Sequence, residues 1–309
     1  AGWLVERGAR HLLLLGRKAP SAQAEAELQR WRARRVEVTV RAVDVADRAA
    51  LAEVLRTCTP ALRGVFHAAG VAGYEPMATL TAEAWRAVLR PKVEGARWLD
   101  ELTATQPLDA FVVFSSIASV WGSKGQAHYA AANGWLDALA ARRRAQGRVA
   151  LSVGWGPWAG GGMATPAAAA LLESSGVKLL PPAAALAALE RALTCDRTHV
   201  LVADVDWARF RQVYELRGTR SLLARLPGQE SVSAFEPSRL TAAATKGAGV
   251  SVATTLPALR LHVQQTLAQI LKMPAGELPD PTQGFADLGI DSLMAVDLKN
   301  RLARDLGVA

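Results

Sequence analysis

Through residue 207, short apolar runs alternate with longer stretches of helical spacing. The runs predict strands at Leu12–Leu15, Val36–Val43, Gly64–His67, Phe111–Phe114, Val149–Val153 and Val200–Val205. Several are continuous in Val and Leu, the pattern of strands covered on both faces. Between them lie helical segments. One opens near Thr81 and puts Trp85, Val88 and Leu89 on one face; another runs from about Tyr129 to Arg144. Alternating strands and helices imply a parallel sheet with right-handed crossovers, so the expected class is a doubly wound, Rossmann-like α/β fold.

After Leu226 the periodicity stops. Residues 227–257 are rich in Ser, Thr, Ala, Gly and Pro and read as a flexible linker between a first domain, 1–226, and a second, 258–309. About 31 flexible residues have a root-mean-square span of roughly 30 Å, suited to tethering. Helical spacing returns at Leu259, Val263, Leu267, Ile270 and Leu271. Pro274, Pro279 and Pro281 then mark a loop. A second helix is expected from about Ser292, with Leu293, Val296, Leu302 and Leu306 inward. The second domain is thus predicted to be all helical and only part of a bundle.

Composition narrows the function classes. The length of 309 residues suits two domains rather than one core. No apolar run approaches the roughly 18–20 residues of a membrane helix. Cys58 and Cys195 are far apart and have no ligand-spaced neighbours, so neither a disulfide framework nor a metal site is expected, and a reducing cytoplasm suits them. The net charge of +8 sits in the first domain and linker: residues 1–257 carry 31 Lys/Arg against 22 Asp/Glu. These cations are scattered, without interleaved aromatics or a nucleic-acid motif, so they read as solvated surface. Some are suited to phosphates on a cofactor or a carrier arm.

Four polar residues suggest chemistry. Ser116 follows the apolar run FVVF, at the carboxyl end of a strand, where open α/β sheets place ligands. Tyr129 and Asn133 are one helical turn apart and share a face. With Lys92 they form a set able to reduce a carbonyl. Tyr donates the proton, Ser holds the oxygen, and a cationic Lys stabilises tyrosinate. Singly, each has an ordinary reading: a turn serine, a packing Tyr–Asn pair, a surface lysine after Pro91.

Together with their neighbours they are specific. The string FSSIASVWGSKGQAHYAAANGWLDALA at 114–140 closely resembles the ketoreductase domains of modular polyketide synthases, relatives of the short-chain dehydrogenases. HAAG at 67–70, RPKVEGARWL at 90–99, VGWGPWAGGGMA at 153–164 and VADVDW at 202–207 match in order. Ordinary short-chain dehydrogenases carry Lys four residues after the catalytic Tyr. Here Asn133 stands there and Lys92 lies upstream, as in polyketide and fatty-acid synthase reductases. The resemblance implies Tyr129 as proton donor, Ser116 as carbonyl-orienting donor, Lys92 as the group lowering the Tyr pKa, and Asn133 as positioning Lys92 or a relay water.

It also implies NADPH. Arg17, ending LLLLGR, would meet the 2′-phosphate. Asp44 and Val45 resemble the adenine-contacting pair. Ala68, Ala69 and Gly70 lie where backbone approaches the nucleotide, and Pro157 and Trp158 match the loop beside the nicotinamide. The family's first strand and Gly-rich phosphate loop have no counterpart ahead of LLLLGR, so the chain is expected to be truncated there and to bind NADPH poorly. Stereochemistry is implied as well. Ala72, Gly73 and Tyr74 replace the Leu-Asp-Asp string of one reductase group, and Trp121 stands eight residues before Tyr129. Gln126 is not the His linked with epimerised substrates. An L-configured β-hydroxy product from an unepimerised substrate is expected.

GFADLGIDSLMAVDLKNRL at 284–302 resembles the attachment region of acyl carrier proteins and implies covalent 4′-phosphopantetheine on Ser292. A helix N-terminus there favours the attached phosphate. Asp287, Asp291 and Asp297 make an acidic surface suited to steering a basic partner. The family's final helix is not found before Ala309. The implied partners are the acyl thioester, a phosphopantetheinyl transferase and other synthase domains, with oligomeric state open. Two alternatives stand beside this reading: an inert reductase scaffold beside a working carrier, and an iterative, fatty-acid-synthase-like enzyme.

Overall fold

The computed structural model describes residues 1–161, 163, 165–215, 220–226, 256–274, 276–285, 288, 290 and 292–306. The expected linker, 227–257, therefore lies almost wholly outside the described residues. The elements in order are α1 (Gly2–Glu6), β1 (His11–Gly16), α2 (Ala22–Ala33), β2 (Glu37–Ala42), α3 (Arg48–Arg56), β3 (Gly64–His67), α4 (Ala82–Leu89), a π-helical segment (Arg90–Glu94), α5 (Gly95–Leu102) and β4 (Ala110–Ser116). Then come α6 (Ala118–Trp121), α7 (Ala127–Ala145), β5 (Leu151–Trp155), α8 (Pro166–Ser174), β6 (Val177–Lys178), α9 (Pro182–Thr194), β7 (His199–Val202), β8 (Asp204–Val205), α10 (Trp207–Tyr214), α11 (Leu256–Leu271) and α12 (Ser292–Leu306). They fall into two compact units: Ala1–Ala169 with Lys178–Asp204, and Ala170–Val177 with Val205–Ala309.

In the first unit, β3, β4, β5 and β7 form a parallel sheet in that order, and β1 pairs in parallel with β2. The predicted last strand, Val200–Val205, is two strands broken at Ala203. The two sheet sections are not hydrogen-bonded to each other. Between β1 and β3 lies a cavity of about 740 Å³ lined by Leu12, Leu13, Thr39 and Phe66 among others.

Strand alternation builds three layers. Phe111 and Val113 point to one face of the sheet and pack with Leu136, Leu139 and Ala140 of α7 and Ala96 and Leu99 of α5. Val112 points the other way and packs with Leu151, Val153, Ala185, Leu189 and Ala192, a cluster completed by α9. Helix starts follow the polar punctuation: Ser21, Asp47 and Thr81 cap α2, α3 and α4 by accepting from backbone N–H groups.

One buried charge cluster ties α5 to α7. Asp100 accepts from Arg143 Nη1 at 2.6 Å and from Arg148 Nη1 at 2.7 Å, and pairs with Arg142. Arg143 is itself buried, its guanidinium 3.8 Å from the centre of the Phe111 ring. Burial alone would raise the Asp100 pKa; hydrogen bonds and charge from Arg143 and Arg148 outweigh it and hold the carboxyl below its usual value. Asp100→Ala leaves Arg143 buried without its partner. It is expected to cost about 3–5 kcal/mol, a fall in Tm on the order of 10 °C. Because the folded pKa is depressed, this stabilisation is full above the unfolded carboxylate value and is lost as pH falls through the folded one. Thermal melts of wild type and variant at neutral and acidic pH check this: the gap should narrow in acid.

In the second unit, α11 and α12 pack through Leu267, Ile270 and Leu298, with Val263, Ile290, Met294 and Leu302 around them. On α12 the described inward residues are Met294, Leu298 and Leu302, one turn apart at each step, with Leu302 where the spacing predicts it. The side chains of Leu293 and Val296 lie outside the described residues.

Candidate active site

Lys92 is positioned by a proline. Pro91 has no N–H and its ring would strike the carbonyl four residues back in a regular helix. The wider π turn at Arg90–Glu94 accommodates it, and the helix then resumes as α5. The result turns Lys92 inward. It is 2% exposed rather than a surface cation, its Nζ donates to the Phe114 carbonyl at 3.0 Å, and it sits 5.5 Å from the centre of the Tyr129 ring. A Cβ on Gly70 would lie 2.9 Å from Lys92 Cε, so any side chain at the end of HAAG would displace the lysine stem. Burial pushes the ammonium pKa down to about 8, and the charge of Asp137 opposes that fall.

Tyr129 and Asn133 lie on successive turns of α7. Asn133 is fully buried; its Nδ2 donates to the Tyr129 carbonyl at 2.7 Å, and its own carbonyl accepts from Ser115 Oγ at 3.2 Å. Its Oδ1 is buried with no protein partner. Ser116 ends β4, with Oγ accepting from Ala118 N–H at 3.2 Å where α6 begins. Burial raises the Tyr129 pKa; hydrogen bonding with Ser116 and Asn133 pulls it down, nearby Tyr74 pushes it up, and the net is upward. Lys92, bonded to the Phe114 carbonyl, is not among the groups that set this shift in the protonated tyrosine.

The rim is held by close packing. Glu75 N–H donates to the Gly125 carbonyl at 2.7 Å, and a Cβ on Gly73 would lie 2.2 Å from His128 Nε2. These contacts fix the 73–75 loop over the first turn of α7 and leave Tyr74 54% exposed. Trp121 ends α6 before Gly122, whose φ is 78°. Gln126 is buried and caps α7 without a side-chain hydrogen bond.

The expected nucleotide residues share the carboxyl edge of the strands. Arg17 follows β1, is exposed, and has no carboxylate within 4 Å among the described residues. Asp44 follows β2, accepts from Ala46 N–H at 3.0 Å and pairs with Arg90 at 3.4 Å; Val45 packs near Gly95. Ala68–Gly70 follow β3. Pro157 and Trp158 follow β5, tied down by Leu180 N–H donating to the Pro157 carbonyl at 2.7 Å and by Trp158 edge-on to Trp155 at 5.1 Å. An unpaired guanidinium and a ring of small residues at one sheet edge fit a phosphorylated dinucleotide. No cluster of three or more His, Cys, Asp or Glu side chains suited to a metal occurs among the described residues. No helix among them is long and apolar enough to cross a membrane.

Sequence reasoning passed over two residues beside this cluster. His67, from HAAG, is buried below the π segment, and desolvation followed by the Lys92 charge lowers its pKa to about 4. Asp137 extends the Tyr129–Asn133 stripe by one more turn, an i, i+4, i+8 repeat visible in the sequence once the helix is placed. In the carrier region Ser292 is the first residue of α12; its side chain, Asp287 and Asp291 lie outside the described residues. Asp297 pairs with Arg301 at 2.9 Å, which weakens the expected acidic surface.

Comparisons with known proteins accord with this layout. Residues 1–160 match the KR domain model, and residues 262–309 match that of the phosphopantetheine attachment site. The pikromycin polyketide synthase component PikAIII of Streptomyces venezuelae is 41% identical over 99% of this chain, which spans 21% of that relative. Two solved structures are similar. One is a ketoreductase from the first module of phoslactomycin biosynthesis in Streptomyces sp. HK803, 43% identical with a TM-score of 0.67 over 70% of this chain and 51% of that one. The other is an A1-type ketoreductase, 44% identical with a TM-score of 0.69 over 72% and 48%. The chain belongs to the KR-domain family of modular type I polyketide synthases and carries a phosphopantetheine attachment domain after its ketoreductase domain.

Proposed function

We propose that the first domain reduces a β-ketoacyl thioester to the β-hydroxyacyl thioester with NADPH, while the carrier domain holds that substrate on phosphopantetheine at Ser292. The observation that carries this is the set of four beside β4: buried Lys92, Ser116 and Asn133 with half-buried Tyr129. Tyr129, with its pKa raised, stays protonated through neutral pH and gives its proton to the ketone oxygen. Ser116 Oγ, on the rigid end of β4, orients that oxygen. Lys92, fixed by the Phe114 carbonyl over the Tyr129 ring, stabilises the tyrosinate that forms. The buried Oδ1 of Asn133 is free to accept a hydrogen bond, from Lys92 or a water. When bound, the nicotinamide supplies the hydride. Arg17 would hold the 2′-phosphate, Asp44 and Val45 the adenine end, Ala68–Gly70 the nucleotide backbone, and Pro157 and Trp158 the nicotinamide side.

The wider setting follows from the same reading. A phosphopantetheinyl transferase loads Ser292, neighbouring synthase domains build and remove the acyl chain, and the reducing cytoplasm suits two free thiols, Cys58 and Cys195. Tethering keeps the loaded arm at roughly millimolar effective concentration. The expected domain limits, 1–226 and 258–309, belong to this proposal.

Trp121 and Gln126 at the rim, without a Leu-Asp-Asp string at 72–74, present one face of the ketone to the cofactor. The full-length protein with NADPH and a soluble β-ketoacyl thioester should give predominantly the L-hydroxy product by chiral chromatography. A predominantly D product would overturn the stereochemical assignment, and no NADPH-dependent reduction would overturn the function.

A further inference from the structure

Asp137 has no role in the chemistry described so far, yet it sits where a charge has consequences. It lies on α7 one turn beyond Asn133 and two beyond Tyr129. Its side chain is only 16% exposed. Oδ1 accepts from Ser152 Oγ on β5 at 2.5 Å and lies 3.5 Å from His199 Nε2 on β7. Ser152 is itself completely buried. The next residue, Val153, pairs with Phe114, whose carbonyl holds Lys92 Nζ. The carboxylate and the ammonium are thus anchored one register step apart on neighbouring strands, with Asn133 between Tyr129 and Asp137 on the covering helix. A carboxylate buried this far needs compensation, and one hydroxyl hydrogen bond with a part-exposed imidazole supplies only part of it.

We propose that Asp137 is a positioning residue that keeps Lys92 cationic over the working pH range, acting through the protein interior without touching substrate or cofactor. This rests on the proposed reduction, in which Lys92 stabilises tyrosinate. The groups around Lys92 support it. His67 on β3 is kept neutral by burial and by Lys92 itself, so it offers no charge that would hold the ammonium. Tyr129 on α7 stays protonated. The Phe114 carbonyl on β4 contributes a dipole only. Among the described residues Asp137 is the carboxylate whose charge acts on Lys92, and it opposes the desolvation that on balance brings the lysine pKa down to about 8. His199 faces the Asp137 carboxylate from β7.

The test is the pH dependence of kcat/KM for NADPH-dependent reduction of a soluble β-ketoacyl thioester by the full-length protein. Activity requires charged Lys92, so it falls on an alkaline limb. In Asp137→Asn that limb should move to lower pH by roughly half to one unit, less than the one to three units of a contacting ion pair. Asp137→Glu, which keeps the charge, should restore it. His199→Arg, which sets a permanent cation against the carboxylate at a part-exposed position, should shift the limb in the same direction as Asp137→Asn. This keeps the test available if the asparagine variant does not fold. Equal loss at every pH with the limb in place would assign Asp137 to packing and overturn the proposal. Wild type that reduces no β-ketoacyl thioester would overturn the proposed function instead.

Discussion

Tyr129→Phe will lower the rate of NADPH-dependent ketone reduction by about 10²–10⁴-fold, the usual worth of a positioned general acid. The substitution removes one hydroxyl and little else. The ring that faces Lys92 at 5.5 Å is retained, and α7 keeps its packing through Leu136, Leu139 and Ala140. The nucleotide residues Arg17, Asp44 and Val45 lie on other elements, so NADPH affinity should change by less than about threefold. Steady-state kinetics and direct titration of NADPH fluorescence separate the two quantities. A variant with near-wild-type turnover would place the proton on another group. A parallel collapse of NADPH binding would show that Tyr129 acts in binding and not in proton transfer.

Ser292→Ala will abolish phosphopantetheine loading altogether, because no other atom can accept the phosphodiester. The loss is chemical and not structural. Ser292 is the first residue of α12, and replacing a serine at a helix start costs about 1 kcal/mol or less in most settings. The buried contacts that join α12 to α11 are made by the apolar side chains of Leu267, Ile270 and Leu298. Incubation with a phosphopantetheinyl transferase and coenzyme A, followed by intact-mass measurement, should show the added mass on wild type and none on the variant. Circular dichroism should show the helices of both. Equal modification of the two proteins would move the attachment point to a different hydroxyl.

Much of the fold was legible because parallel strands buried on both faces write themselves as apolar runs. The FVVF run lands in β4, and the predicted Tyr129–Arg144 helix lies inside α7. Boundaries shifted where hydrogen bonding outlasts the apolar run, as at Gly154 and Trp155 of β5. The π turn was invisible: Arg-Pro-Lys reads locally as a helix end, and only the packing of Lys92 against Gly70 and Phe114 shows why the helix continues. For the same reason the burial of Lys92 and its low pKa could not be read from spacing. On α12 the expected Leu302 packs towards α11, and Met294 and Leu298 join it through contacts that spacing alone does not select. Asp137 was passed over because a carboxylate on a long helix reads as solvent-facing until β5 and β7 are laid beneath it.

The central claim is that one polypeptide holds a β-ketoacyl thioester on Ser292 and reduces it there. The direct measurement loads the full-length protein with a β-ketoacyl pantetheine arm, adds NADPH, and weighs the peptide that contains Ser292. The account predicts a mass gain of two hydrogens on that peptide, dependent on NADPH and absent in Tyr129→Phe. An arm that stays on Ser292 at its unreduced mass, while wild type is folded and binds NADPH, would contradict it.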